Sequence, residues 1–431
     1  MYSLKGEEET CLINQEFQSG QNCNEAAYVH AKKADNINNR PKTLDKVKNI
    51  SLSDFIDAAE NHDYVEILET IGQDDVKEFV KVGIDTDSTL RAGTFIQKDS
   101  TIVHCSKSIE GVEIKGIANA LEQHDWLGEK YLWRLLSPEQ DEITRSVNIK
   151  PDQGFFIWIK KGVKAQKPLQ TCLHIAKEKF SQKVHNIVVV EEDSELHIIA
   201  GCSTSEHLES GLHIGLSEFY IKKGATLKYT MIHDWGENVY VRPKTAVHVD
   251  EGGVFISNYI SLRPVGSIVS NPVTMLEKNA TARINSILVA GKGTYMDMGS
   301  VVELNGTGAR AEIISRAIVA GGTIISRGHL MGKEPGVKGH LECKGLILKE
   351  GLLHAIPELS GHTPGVEMSH EAAVGKIDKR EIEYLMARGL DEEEAISTIV
   401  RGFLNVEIEG LPADLETRID EAVKETEKDM M

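Results

Sequence analysis

Four segments of the chain repeat one another at a nearly fixed interval, and this periodicity limits the possible folds more than any other feature. They are EFYIKKGATLKYTMI from Glu218, AVHVDEGGVFISNYI from Ala246, VTMLEKNATARINSIL from Val273 and VVELNGTGARAEIIS from Val301. Each reads as a strand, a polar turn and a second strand. Measured at the turns, Gly224, Gly252, Asn279 and Gly306 are spaced by 28, 27 and 27 residues. Looser copies, IWIKKGVKA, VVEEDSELHII and LILKEGLLHAI, carry the pattern further along the chain. A steady period with two or three short strands per unit suits a solenoid whose coils stack only on their neighbours. A β-sandwich also yields short strands and turns, but it does not impose a constant period. The expected fold is mainly β: a right-handed parallel β-helix-like solenoid core flanked by N-terminal and C-terminal α-helical regions, which cover its unpaired edges. The expected division is a largely helical region over 1–90, the solenoid over 91–365 and a helical partner-docking region over 366–431. Within the first region SLSDFIDAAENH reads as a helix capped by Ser51 or Ser53; beyond it Trp126 and Trp133, seven residues apart, read as one face of a core helix.

Composition narrows the function. No apolar run approaches the ~20 residues of a membrane helix, and MYSLKGEEET lacks the apolar stretch of a secretory signal. The six cysteines, at 11, 23, 105, 172, 202 and 343, form no CxxC pair, so neither a disulfide framework nor a zinc ribbon is expected. A cytoplasmic protein without a membrane partner follows. A net charge of −18, with no block rich in Lys or Arg, also argues against nucleic acid.

Chemistry concentrates near the C-terminus. Cys343, His354, Glu358, His362, His370 and Glu371 are soft, borderline or labile metal ligands crowded into a short stretch. Two capped amphipathic helices follow. Asp378 with Glu381 opens a helix bearing Ile382, Leu385 and Met386, and Gly389 closes it; Asp391 with Glu394 opens a second bearing Ile396, Ile399, Val400, Phe403 and Leu404. Asp414 reads as the cap of a third, carrying Leu415, Ile419 and Val423. From Glu371 onward there are 17 acidic and 8 basic residues, half of the whole chain's net charge. An acidic, amphipathic appendage of this kind suits a partner surface better than a core cap.

SHEAAVGKID, EIEYLMARGL and EEEAISTIVRGF resemble the C-terminal signature of the SufB/SufD family, the scaffold proteins of the SUF iron-sulfur cluster assembly machinery. HIIAGCST around Cys202 and ECKGLILKEGLLHAIPEL from Glu342 are similar to the family's core, so the resemblance covers about Val190 to Leu411. It implies a non-catalytic scaffold that builds a transient iron-sulfur cluster and hands it to recipient apoproteins, with a flavin as a further candidate cofactor. It also implies a SufC-type ABC ATPase docked on the C-terminal helices, for which Ile382, Tyr384, Leu385, Arg388, Ile396, Ile399 and Phe403 are the candidate contacts. The chain has no GxxxxGK[ST] motif, so ATP use falls to that partner. Glu371 matches the glutamate that SufB contributes to the cluster site and His370 the histidine that SufD contributes. One chain thus carries what paired paralogues divide, which implies a homodimer through the solenoid core. The SufB cysteine that precedes the histidine matched by His354 has no counterpart: Gly351 or Leu352 stands there. Cys343 and His354 are therefore the remaining strong cluster candidates beside His370 and Glu371, with Cys202, Glu358 and His362 behind them, Cys202 as a point where sulfur enters. Two other readings stay open. One is a metal-free adaptor for an ABC ATPase, and the other a carbohydrate-active β-helix enzyme, since fold does not fix function.

Overall fold

The computed structural model of the chain describes residues 50–150 and 152–404. They build a parallel β-solenoid of about eight turns with helices at both ends. Each coil contributes to two sheets, three middle coils giving the second sheet two short strands in place of one long one, and the sheets enclose one apolar core. The first sheet has ten strands and ends with Lys338–Ile347 and Glu367–Gly375; the second has twelve and ends with Thr323–Gly332 and Leu352–Gly361. Apart from two antiparallel pairs at the N-terminal end, neighbouring strands run parallel. The register repeats coil by coil: Thr226, Val254, Thr281, Arg310, Lys338 and Glu367 are successive partners in the first sheet. Because paired residues in a parallel ladder point to the same side, inward positions repeat as columns from coil to coil, several of them apolar. Leu227, Phe255, Ala282, Ala311 and Gly339 form one such row.

The turns stack as tightly as the strands. One residue in each takes a left-handed backbone: Gly162, Asp193, Gly224, Gly252, Asn279, Gly308, Gly336 and Gly365, with φ between +56° and +81°. Glycine and asparagine tolerate this region, which is why the period was visible at these positions. The fourth expected turn differs, since the left-handed residue is Gly308 and not Gly306. Gly306 is instead required for space, because a Cβ there would lie 2.1 Å from the Lys278 backbone nitrogen. The turns are joined by backbone hydrogen bonds: Gly162 N–H donates to Glu192 O, Asp193 to Lys223, Gly224 to Glu251, Gly252 to Lys278 and Asn279 to Thr307, at 2.9–3.1 Å. Outside them runs a ladder of alternating charge, Lys161, Glu192, Lys223, Glu251 and Lys278. In it Lys161 pairs with Glu192, and Glu251 pairs with Lys223 at 2.8 Å and with Lys278 at 3.4 Å.

The N-terminal expectation needs correction. Between residues 50 and 90 there is one α-helix, Gln73–Val80, with three single 3-10 turns. SLSDFIDAAENH is not a helix. Ile56 instead bridges to Phe180, donating to Lys179 O and accepting from Ser181 N at 2.8 Å each, while Phe55 packs edge-on against Tyr240. Pairing with the solenoid edge overrides local propensity there. Trp126 and Trp133 do not share a helix either. The helix Asp125–Lys130 stops short of Trp133, which takes φ +57°. That strained turn is held by Glu218, a fully buried carboxylate that accepts the backbone N–H groups of Trp133, Arg134, Leu135 and Leu136.

At the C-terminus the solenoid continues past the boundary expected at 365, because VEMSHEAAVGK supplies one more strand, Glu367–Gly375. The helices Lys379–Ala387 and Glu392–Leu404 follow. The second has the expected reciprocal capping box: Asp391 Oδ1 accepts from Glu394 N at 2.8 Å and Glu394 Oε2 from Asp391 N at 3.1 Å. The first is capped differently, with Asp378 accepting from Arg380 N while the Arg380 guanidinium grips the same carboxylate. Val400 and Leu404 are buried in a cluster with Ile260, Ile287, Ile318 and Leu346 of the first sheet's outer face and Phe79 of the N-terminal helix. Cys11, Cys23 and the third helix expected from Asp414 lie outside the described residues.

Candidate functional site

The crowding of ligand-type residues in sequence resolves into three separate surfaces. His354 and Glu358 stand on the last strand of the second sheet, partnered by Ile325 and His329. Both are exposed, while Leu353, Ala355 and Leu359 between and beside them pack inward, so His354 and Glu358 face outward. His362 follows in the turn, its backbone N–H donating to Gly332 O at 2.8 Å. The charges of Glu358 and His362 both act on His329, and burial holds that imidazole below its ordinary pKa. His329 Nε2 meets the Ser360 hydroxyl at 2.8 Å.

His370 and Glu371 lie on the last strand of the first sheet and, as consecutive strand residues, point to opposite faces. His370 is partnered by Leu341, a fully buried core residue, so it faces the interior side at the open end of the stack. No coil lies beyond it among the described residues, which leaves it exposed. Glu371 is partnered by Glu342 and faces outward into a charged network. Lys344 reaches Glu342 at 2.9 Å and Glu371 at 3.3 Å, and Arg316 holds Glu342 from the preceding coil. These cations hold the Glu342 carboxyl below its usual range against the opposing effect of burial.

Cys343 points inward on the neighbouring strand, partnered by Ala372 and buried. Its thiol lies 3.9 Å from the Ser326 hydroxyl, which meets Ser315 at 3.0 Å. Ser326 and Ser315 also line an internal cavity of about 110 Å³ that reaches back to Cys202, Met231, His233 and Tyr259. Cys202 Sγ is 3.7 Å from Met231 Sδ, and His233 Nδ1 is 2.7 Å from the Tyr259 hydroxyl. Burial pushes both the Cys343 and the Cys202 thiols up, so each is a neutral thiol in this arrangement. A thiolate ligand therefore requires either metal or an opening of the core to draw off the proton. Among the described residues, no three His, Cys, Asp or Glu side chains converge as a metal cage.

The candidate docking residues divide by burial. Ile396 and Phe403 are half-buried against the outer-face cluster, and Ile399 is half-buried as well. On the preceding helix nothing is fully buried: Tyr384 and Met386 are exposed, Ile382 and Leu385 half-covered. Arg388 donates to the Tyr384 hydroxyl at 2.7 Å and lies over its ring. The Arg316–Glu342–Lys344 network and the His233–Tyr259 pair were not singled out from sequence. The signal for both is the coil register, since ladder partners fall 27–29 residues apart.

The comparisons with known proteins point to one family. Residues 173–403 match the family model described as SUF system FeS cluster assembly, SufBD core domain. An iron-sulfur cluster assembly SufBD family protein of Archaeoglobus fulgidus is 49% identical over 358 residues, 83% of this chain and 96% of that protein. A protein of the same description from Methanothermobacter thermautotrophicus strain Delta H is 44% identical over 376 residues, 85% and 92% of the two chains. The iron-sulfur cluster assembly protein SufB of Bacillus subtilis is 27% identical over 358 residues, 80% and 76%. With most of its length aligned to such relatives, and residues 173–403 matched by the core-domain model, the chain belongs to the SufB/SufD family.

Proposed function

We propose that this chain takes part in iron-sulfur cluster assembly as a homodimeric, non-catalytic scaffold, working in the cytoplasm with a SufC-type ABC ATPase. The observation that carries the reading is the end of the solenoid. Its last strand, Glu367–Gly375, is exposed along almost its whole length and, among the described residues, pairs on one side only, with Lys338–Ile347. A bare strand edge pairs readily with another chain. A two-fold contact there would bring two copies of His370 and Glu371, and the thiols of two Cys343 residues, to one seam. Iron and sulfide are then the cargo, held by imidazole, carboxylate and thiolate and released because carboxylate is a weak ligand for cluster iron. The exposed face of Lys379–Ala387 supports docking of the ATPase, whose ATP-driven dimerisation would shift the two scaffolds and open the seam.

Anaerobic reconstitution of the full chain with its ATPase, iron and sulfide tests the reading, with iron and acid-labile sulfide quantified. A cluster should form on the native chain and fail on His370→Ala/Glu371→Ala; equal loading of both would move the ligands elsewhere. Tyr384→Ala/Met386→Ala should abolish ATPase capture while leaving the melting curve unchanged, and undiminished capture would remove the docking assignment. The separation of the candidate ligands within one chain favours one second reading, a metal-free adaptor for the ATPase. Failure of the native chain to retain any iron would select it.

A further inference from the structure

The outer face of the first sheet holds an arrangement that bears on how a metal could reach Glu371. Glu342 and Glu371 are direct partners on adjacent coils, and one ammonium, Lys344 Nζ, touches both carboxylates. Their other partners differ. Glu342 is also held by Arg316, and both of those side chains are largely covered, at 14% and 15% exposure. Glu371, at 56% exposure, has Lys344 as its one ion-pair partner among the described residues.

We propose that Lys344 is a positioning residue for metal capture, its ammonium occupying the place beside Glu371 that an incoming divalent ion must take. The inference rests on the reading of Glu371 as a metal ligand. An ammonium and a metal ion compete for the same carboxylate lone pairs, and a metal bound while Lys344 stays in place would face a like charge a few ångströms away. Lys344 is able to leave, since its side chain is a third exposed and flexible, whereas Arg316 is enclosed and remains on Glu342. Displacing Lys344 therefore frees Glu371 while Glu342 stays neutralised. A cation that can use Glu371 alone gains little over the lysine. One that also finds an imidazole or thiolate, on this chain or a second copy, displaces it.

Anaerobic titration calorimetry of the full-length chain with ferrous ion alone provides the test. Removing a unit positive charge roughly 4 Å from a divalent ion at the surface should tighten binding about tenfold in Lys344→Met. Lys344→Gln serves as a second neutral variant if methionine disturbs folding. Lys344→Arg should bind as the native chain does. So should Lys338→Met, which deletes the neighbouring Lys338–Glu367 pair on the same two strands and controls for net charge. Adding Glu371→Gln should abolish the gain. The inference is overturned if the neutral Lys344 variants bind no tighter, or if Lys338→Met gains as much. If Glu371→Gln changes affinity in neither background, the ligand assignment itself fails. If it weakens binding while the Lys344 variants gain nothing, only the role of Lys344 fails.

Discussion

Replacing Glu218 by alanine should unfasten the 133–136 loop from the solenoid. The carboxylate is fully buried and accepts four consecutive backbone N–H groups, from Trp133 at 2.7 Å, Arg134 at 2.8 Å, Leu135 at 2.5 Å and Leu136 at 3.2 Å. It also meets His185 Nε2 at 2.8 Å and the Tyr220 hydroxyl at 3.1 Å. Each buried donor left without an acceptor costs about 1–3 kcal/mol, so four would cost about 4–12 kcal/mol if nothing moved. The loop lies near the surface and regains water by moving outward, which also relieves the left-handed strain at Trp133, about 1–2 kcal/mol. A net loss of about 3–5 kcal/mol is therefore expected, the range found when one member of a buried ionic pair is removed. Glu218→Gln keeps one acceptor oxygen and should cost roughly half as much. Because coils of a solenoid contact only their neighbours, the loss should be local. Hydrogen exchange read by mass spectrometry should show protection falling in peptides that cover 131–136 and 185–186, while the coils beyond Arg310 are unchanged. Unaltered protection at 133–136 in the alanine variant, or identical losses in both variants, would refute the reasoning.

Acid should weaken the fold through its enclosed histidines. Burial lowers His213 to about 3 and His174 and His197 to about 4, so between pH 6.5 and 4 the unfolded chain binds more protons than the folded one. Their stabilising effect is complete above pH 6.5 and declines as pH falls towards 4, so urea midpoints should drop from pH 7 to pH 5; a flat profile would contradict the burial. Gly201→Ala should cost about 1–3 kcal/mol by overpacking, because its Cβ would fall 2.5 Å from a Val82 methyl and 2.8 Å from the Val82 carbonyl oxygen; an unchanged urea midpoint would show that this segment can retreat. Asp391→Ala, which breaks the capping box, should cost about 1 kcal/mol and speed exchange at the start of Glu392–Leu404; exchange no faster than native would show the cap to be idle.

The solenoid was legible because its turns need a residue that accepts a left-handed backbone, and Gly224, Gly252 and Asn279 announce that need at constant spacing. The capping box of Asp391 and Glu394 was legible for a similar reason, since both partners lie within four residues. What escaped depends on partners a whole coil or more away. Nothing local in SLSDFIDAAENH reveals that Ile56 pairs with Phe180, and nothing near Trp133 reveals the carboxylate of Glu218 beneath it. The candidate site was half legible. Residue types near the C-terminus gathered the candidates at one end of the solenoid, but adjacency in sequence suggested that His370 and Glu371 act side by side. A strand places them on opposite faces, and only the register reveals that Lys344 and Glu342 are the nearer neighbours of Glu371.

The turn ladder gives the stack a parity. Lys161, Glu192, Lys223, Glu251 and Lys278 alternate in sign, so deleting one interior coil would set like charges against each other at the junction, whereas deleting two adjacent ones would restore the match. The mismatch falls on one exposed junction and is worth little in stability, on the order of 1 kcal/mol, but the apolar columns, being similar from coil to coil, would barely distinguish the two deletions. Shortening this chain by two adjacent coils within the ladder should thus leave opposite charges facing each other at the new junction, where shortening it by one leaves a like-charged pair.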